Sequence, residues 1–250
     1  MKCRLIESGF NSCSWNMAAD ESVLESVASG SQEPTLRLYG WKPAAVSIGY
    51  FQGMSEEVDL KACEQMNVEC VRRMTGGGAV FHEHEITYSI ILPEDTVPED
   101  ILESYRKICK AIILGLDHLG IESEFAPLND IITCGRKISG NAQTRRMKCM
   151  LQHGTILLKV DVEKMFSLLK VPNEKIRDKL IKNVKDRVTS VEDVTGKDIG
   201  LDGAAPAFRK GFSEALDLEL TASDMDAGEL DRTEELIRQK YGQESWNNRR

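Results

Sequence analysis

The sequence predicts an α+β fold: a mixed central β-sheet flanked by helices. Three observations predict it. Runs rich in β-branched residues cluster in the middle of the chain, segments of helical periodicity bracket them, and the two kinds do not alternate strictly as a doubly wound parallel sheet would require. In chain order, residues 16–27 place Met17, Ala18, Leu24 and Val27 on one helix face. Short strands are expected at 35–39 and 45–48, separated by Gly40 and Pro43. Residues 56–66 read as a helix, and 68–71, 79–81 and 87–92 as strands. A long amphipathic helix is expected over 100–119, stopped by Gly120. Strands follow at 121–125, 130–133, 137–145 and 150–158. Helices are expected at 162–169, 174–182, 203–216 and 227–241, with a short strand at 218–220.

The chain has 250 residues, 41% of them hydrophobic, enough to bury one substantial core. No Pro/Ser/Gly-rich linker divides it, so residues 1–250 read as one domain. The net charge is −8, which argues against nucleic acid as the main partner. Local basic clusters remain at Arg72–Arg73, Arg136–Lys137, Arg145–Arg146 and Lys182–Lys185–Arg187, and a basic cleft in an acidic protein suits a small anionic ligand. Seven cysteines occur without any C-x-x-C pair, so neither a zinc site nor a disulfide framework is signalled, and the metal content is left unknown. The first twenty residues carry Lys2, Arg4, Glu7 and Asp20, unlike a signal peptide. No apolar run is long enough to span a membrane. A reducing, cytoplasmic setting is expected.

Three segments carry chemistry. The first is Arg72-Arg73-Met74-Thr75-Gly76-Gly77-Gly78-Ala79-Val80-Phe81-His82. Consecutive glycines between strands let backbone N–H groups approach a ligand, and two arginines supply donors for a carboxylate or phosphate. No Gly-Lys-Ser/Thr follows, so this is not a Walker loop. The competing reading is a flexible glycine hairpin, which the tight bracketing by arginines and His82 disfavours. The second is Asn129-Asp130-Ile131-Ile132-Thr133-Cys134-Gly135-Arg136-Lys137-Ile138-Ser139-Gly140-Asn141-Ala142. Gly135 makes a turn, and Lys137 opens a strand whose small residues Ser139 and Gly140 permit close approach of a ligand. A lysine at a strand entry is usually a solvated edge charge; beside a glycine-rich cleft it becomes a candidate cation for a carbonyl or phosphate oxygen. The third is Leu151-Gln152-His153-Gly154-Thr155-Ile156-Leu157-Leu158. A lone histidine there is more often a hydrogen-bonded core residue than a catalyst.

Together these blocks resemble the signature blocks of the lipoate–protein ligase A family, in one superfamily with biotin protein ligases and octanoyltransferases. Residues 16–21, 46–52 and 182–188 resemble further blocks, all in family order. The resemblance implies a cleft that holds lipoyl-AMP. ATP and Mg2+ would activate lipoate, and a lysine of an apo lipoyl domain of the 2-oxoacid dehydrogenases, or of the glycine-cleavage H protein, would take the acyl group. It further implies Arg72 and Arg73 at the carboxylate and phosphate, and Gly76, Gly77 and Gly78, with Thr75 and Ala79, over the acyl-adenylate. Lys137 would be catalytic at the activated carboxyl. Asn129 and Asp130 would sit on the nucleotide side, and Ser139, Gly140, His82, His153, Gly154 and Thr155 along the pocket. Lys182 and Val184 would belong to an adenylate-side loop. The chain stops near Trp246, where the catalytic domain of these ligases ends, so a separate small accessory subunit is expected to assist activation.

A second resemblance is held beside the first. Residues 139–145 and 151–154 are also similar to blocks of the monomeric octanoyltransferases, which use a cysteine nucleophile. Their cysteine falls near residues 128–130, where this chain has Leu128, Asn129 and Asp130, and Cys134 reads as a chance thiol at a turn. The ligase is therefore the expected activity, with the octanoyltransferase as its alternative. A non-catalytic binder of lipoyl domains is disfavoured by the combination of Arg72, Arg73 and Lys137.

Overall fold

The computed structural model describes residues 1–170 and 184–249. The strands are β1 (Lys2–Asn11), β2 (Thr35–Trp41), β3 (Ala45–Ile48), β4 (Glu69–Arg72), β5 (Val80–His82), β6 (Glu85–Pro93), β7 (Glu124–Ala126), β8 (Asp130–Thr133), β9 (Arg136–Arg146), β10 (Cys149–Leu157) and β11 (Glu219–Ala222). The helices are α1 (Cys13–Ala28), α2 (Met54–Glu57), α3 (Leu60–Gln65), α4 (Ile101–His118), α5 (Val162–Leu168), α6 (Val191–Thr195), α7 (Leu201–Leu216), α8 (Ala227–Leu236) and α9 (Glu244–Asn247).

The larger sheet runs β11-β1-β2-β6-β10-β9-β8-β7, and a smaller one runs β4-β3-β5. β1 pairs in parallel with both β11 and β2, while β2–β6, β6–β10 and β10–β9 are antiparallel, so the sheet is mixed as predicted.

Period-two alternation divides the large sheet into two different faces. On β2 and β6, the even-numbered Leu36, Leu38, Ile86, Tyr88, Ile90 and Leu92 join the core that packs under α4 and α7. The two helices cross on glycine: a Cβ at Gly211 would stand 2.3 Å from the carbonyl oxygen of Ala111, and one at Gly115 2.3 Å from the Phe208 ring. The odd-numbered Arg37, Tyr39, Thr87 and Ser89 turn to the opposite face, where they are buried although mostly polar. That face meets α1 and the small sheet, and it carries the site.

Several elements depart from the prediction. β1 is absent from it, because Lys2, Arg4 and Glu7 hide the alternation. Cys3 and Leu5 enter one core and Ile6 the other, while buried Arg4 is neutralised by Glu229 at 2.6 Å. The expected helix over 56–66 is two helices. Val58 leaves the helix to bridge Leu169, and Asp59 then caps the next turn by accepting from the Ala62 N–H at 3.0 Å. Short α6, built on a capping box of Ser190 and Asp193, is also absent from the prediction. α8 widens after Leu236 into a π-turn over Ile237–Tyr241, which sets the Tyr241 hydroxyl on Glu21 at 2.5 Å. The helix expected at 174–182 lies outside the described residues. Among the described residues, no helix is long and apolar enough to cross a membrane.

Candidate active site

A cavity of about 270 Å³ opens between the small sheet, the polar face of the large one and the glycine loop. Its apolar lining includes Met17, Tyr39, Trp41, Phe81, Leu157 and Met165. Its polar lining groups Lys137, Asn129, Gly140 and Asn141 around β9, and Ser47, Arg73, His82 and Glu85 around β3, β5 and β6.

The glycine loop is shaped by Arg73. This side chain is 5% exposed and donates to the carbonyls of Ser47 (2.9 Å), Gly76 (3.0 Å) and Gly78 (2.9 Å) and to the Ser47 hydroxyl (2.7 Å). All these partners are neutral, and burial lowers Arg73 to about 10, so it stays cationic at neutral pH. Gly77 adopts φ of +96°, where a side chain is strained, and a Cβ at Gly49 would stand 2.1 Å from the Gly77 carbonyl oxygen. Gly76 and Gly78 show neither constraint.

Two parallel chains of hydroxyl, imidazole and carboxylate lie under the cavity. In one, Thr75 Oγ1 is 2.7 Å from His153 Nε2 and His153 Nδ1 is 3.2 Å from Asp20. Asp20 is buried, pairs with Arg37 and accepts from the Ser89 hydroxyl (2.6 Å) and Tyr39 hydroxyl (3.1 Å). Burial alone would raise its carboxyl, but Arg37 and His153 outweigh that and hold it below the usual range. Burial pushes His153 below its ordinary value against the pull of Asp20. In the other chain, Ser47 Oγ is 2.6 Å from His82 Nε2 and His82 Nδ1 is 2.6 Å from Glu85. Trp41 stacks on the His82 ring at 3.9 Å and its indole N–H donates to Thr87 Oγ1 at 2.8 Å; Thr87 in turn donates to Glu85 at 2.7 Å.

Lys137 is 2.7 Å from Asp130, with its side chain 41% exposed. A Cβ at Gly140 would stand 2.8 Å from Lys137 Nζ, so a larger residue there would push the ammonium out of its present position. The backbone of Lys137 is tied to the segment that follows the undescribed residues, through the Arg187 carbonyl (2.7 Å) and the Thr189 N–H (2.8 Å).

Of the residues marked in the sequence, Arg73, Gly77, Gly78, Ala79, His82, Asn129, Lys137, Gly140, His153, Gly154 and Thr155 line the cavity. Thr75, Gly76, Asp130, Ser139 and Val184 do not, and Lys182 lies outside the described residues. Arg72 is a correction to the expectation of a ligand-facing cation. Fully buried on the other side of β4, it donates to the carbonyls of Tyr50 (2.9 Å), Trp246 (3.1 Å) and Asn247 (2.9 Å) and so fastens the C-terminal segment. The sequence reading gave no site role to Trp41, Ser47, Glu85 or Asp20, although Asp20 and Ser47 fall within the blocks 16–21 and 46–52. For Trp41, Ser47 and Glu85 the signal was an odd-numbered polar or aromatic series on strands whose even positions are aliphatic; Asp20 lies on α1, outside that series.

No group of three or more His, Cys, Asp or Glu placed to hold a metal ion occurs among the described residues. All seven cysteines are described, and none lines the cavity.

Comparison with known proteins corrects the expected activity. The chain is 37% identical to octanoyltransferase LipM of Geobacillus kaustophilus, over 99% of this chain and 98% of that one. Other octanoyltransferases LipM match at 32–36%. An ATP-dependent ligase forming an acyl-adenylate is therefore overturned as the reading, and the expectation of ATP and Mg2+ as cofactors, like that of an accessory subunit, loses the step on which it rested. Among solved structures, the bi-partite lipoate protein ligase of Thermoplasma acidophilum superposes with a TM-score of 0.89 at 33% identity, covering 98% of this chain and 95% of that one. A lipoate-protein ligase A bound with ATP superposes with a TM-score of 0.87 at 30% identity, covering 99% and 98%. The family model for the lipoyl protein ligase A/B catalytic domain matches residues 12–213, and the chain belongs to that family.

Proposed function

We propose that this chain is an octanoyltransferase, moving an octanoyl group from a carrier thioester to the lysine of a lipoyl domain. The observation that carries the reading is its similarity to octanoyltransferases LipM along 99% of the chain. A lipoyl domain is the acceptor because the Thermoplasma structure pairs its ligase with an E2 lipoyl domain; a glycine-cleavage H protein is the same chemistry on another carrier. The cavity supports the reading with an aromatic and aliphatic wall for a medium-length acyl chain and cations for the carbonyl end.

In this account Lys137 acts as the cation at the thioester carbonyl, where negative charge develops as the bond to sulfur breaks. Asp130 holds the Lys137 ammonium in place at 2.7 Å until substrate enters. The glycine loop covers the acyl group and excludes water, with Arg73 fixing its two carbonyls from below. Asn129 and His153 stand along the same cavity wall as contacts for the donor.

The experiment is direct. The purified chain is mixed with an octanoyl thioester donor and an apo lipoyl domain, without nucleotide, and the domain is weighed. One added octanoyl group on its lysine is expected, and an unmodified domain rejects the proposal. A Gly77→Val variant is expected to raise the KM for the donor about tenfold or more while costing at most about 3 kcal/mol of stability, because the strain is confined to one loop residue. An unchanged KM, with unfolding followed by urea titration, would show the loop to be only a connector.

A further inference from the structure

Resting on the octanoyl-transfer reading, we propose that a cationic and aromatic face beside the glycine loop docks the acceptor lipoyl domain, gripping carboxylates that flank its lysine. The face is built from Tyr50, Phe51, Arg146, Met147, Trp246 and Arg249. The Arg249 guanidinium lies 4.1 Å over the Tyr50 ring and 3.8 Å over the Trp246 ring, and Arg146 lies 5.5 Å over Tyr50. Tyr50 also meets the Phe51 ring edge-on at 4.9 Å. Buried Arg72 donates to the Tyr50 carbonyl at 2.9 Å. None of the ion pairs that arginines form among the described residues involves Arg72, Arg146 or Arg249. Lys240, which stacks on Trp246 as well, is neutralised by Glu21 at 2.6 Å. Uncompensated arginines thus converge on one face of a chain whose net charge is −8. The Tyr50 hydroxyl registers them: contact with Arg249, then with Arg146, lowers it below its ordinary value.

An arginine held by stacking keeps the donors at the edge of its plane free, and those donors fit a carboxylate bidentately. Large apolar side chains stand beside them: Phe51 is 85% exposed and Met147 56%. Met147 and Lys148 form the turn between β9 and β10 with φ of +53° and +60°, a conformation that side chains other than those of Asn and Asp rarely adopt. The strained turn holds a methionine out to solvent where a glycine would fit with less cost. Aromatic residues, methionine and arginine are the side chains that protein interfaces concentrate, and here they share one patch.

Distance and direction to the cavity select the acceptor as the occupant. Alternate residues of β9 share a face, so Arg146 stands on the same side as Ala142, which lines the cavity. Four residues of strand separate them, about 13 Å. Tyr50 is tied to the glycine loop itself, its N–H donating to the Thr75 carbonyl at 2.8 Å. A lysine enters the cavity only by its four-carbon stem, so the domain that carries it has to rest on the surface around the mouth. A donor on a long flexible arm has no such requirement. Exposed charges at that rim act on the encounter and the register of the domain, and their pull fades with salt.

The test titrates an apo lipoyl domain into the full chain by calorimetry. Octanoyl transfer is measured to that domain and, separately, to a short peptide with one lysine and no acidic residue. Arg146→Glu and Arg249→Glu are each expected to raise Kd and KM for the domain about tenfold or more, at an unchanged thermal transition and with unchanged transfer to the peptide. Rising salt is expected to weaken wild-type binding and to narrow the gap between wild type and variants. Arg146→Glu is expected to regain affinity for a domain in which an acidic residue beside the lysine is replaced by lysine. Wild-type Kd and KM in both variants overturn the inference while leaving octanoyl transfer intact, and so does a loss that falls on the acyl donor or the peptide rather than on the domain. Binding that weakens in the variants of a chain that yields no octanoylated domain supports the docking face and rejects the transferase.

Discussion

Replacing Lys137 with alanine is expected to lower kcat for octanoyl transfer by about a hundredfold or more, with little change in the unfolding midpoint. The side chain is 41% exposed and its ion pair with Asp130 is also partly solvated, so the fold owes it little. The reaction owes it more. Charge builds on the carbonyl oxygen as the thioester collapses, and a cation fixed beside the cavity is worth about 3 kcal/mol there, far above its value in water. Gly140 makes the placement specific, since a Cβ at that position would take the space of Lys137 Nζ. Lys137→Arg is expected to rescue poorly, because a planar fork cannot occupy the site of a compact ammonium. The check is steady-state kinetics beside a thermal melt. Transfer at the wild-type rate by Lys137→Ala would remove this residue from the mechanism.

The largest stability effect is expected at Asp20. Asp20→Ala leaves the fully buried Arg37 guanidinium without its charge partner, and the Tyr39 and Ser89 hydroxyls and the His153 ring without an acceptor. Removing one partner of a buried ion pair costs about 3–5 kcal/mol, and the added loss of hydrogen bonds places this variant at the upper end. The same residue gives a pH dependence. Its folded pKa lies below the unfolded value of 3.8, so its contribution is complete above that value and is lost as pH falls through the folded pKa. Glu229, held down by Arg4 against the upward push of burial, adds in the same direction. Urea unfolding at neutral pH and at about pH 3 measures both effects. A loss under about 1 kcal/mol for Asp20→Ala at neutral pH would contradict the view that this carboxylate anchors the polar face.

Much of this was legible in the residues, for reasons that differ by element. α4 declared itself through its apolar stripe and the Gly120 stop, and it forms over Ile101–His118 with Asp100 as its N-cap. β8 and β3 fell at the expected residues because short β-branched runs between turn residues have few alternatives. β1 was illegible because a charged residue at Arg4 is buried through a partner, Glu229, that lies more than two hundred residues away. Asp20 and Arg37 were hidden because they bury each other's charge, with Ser89 and His153 reaching Asp20 from distant strands. Glycines and the lysine of the site could be read locally, since they need only a turn and a small neighbour. Trp41, Ser47 and Glu85 could not, because the pairing of β2 with β6 in one sheet and of β3 with β5 in the other brings them together. Arg72 misled for the converse reason: next to Arg73 in the chain, it faces the other way, and alternation sends it to the C-terminal segment.

The chain's closest test is a competition between acyl sources. An apo lipoyl domain is incubated with the full chain, an octanoyl thioester carrying one isotope label, and free octanoate carrying another, together with ATP and Mg2+. The acceptor lysine is then weighed. The account predicts that the octanoyl amide carries the label of the thioester, at a rate unchanged when ATP is withheld. An amide carrying the label of the free acid, formed only with ATP present, would contradict it.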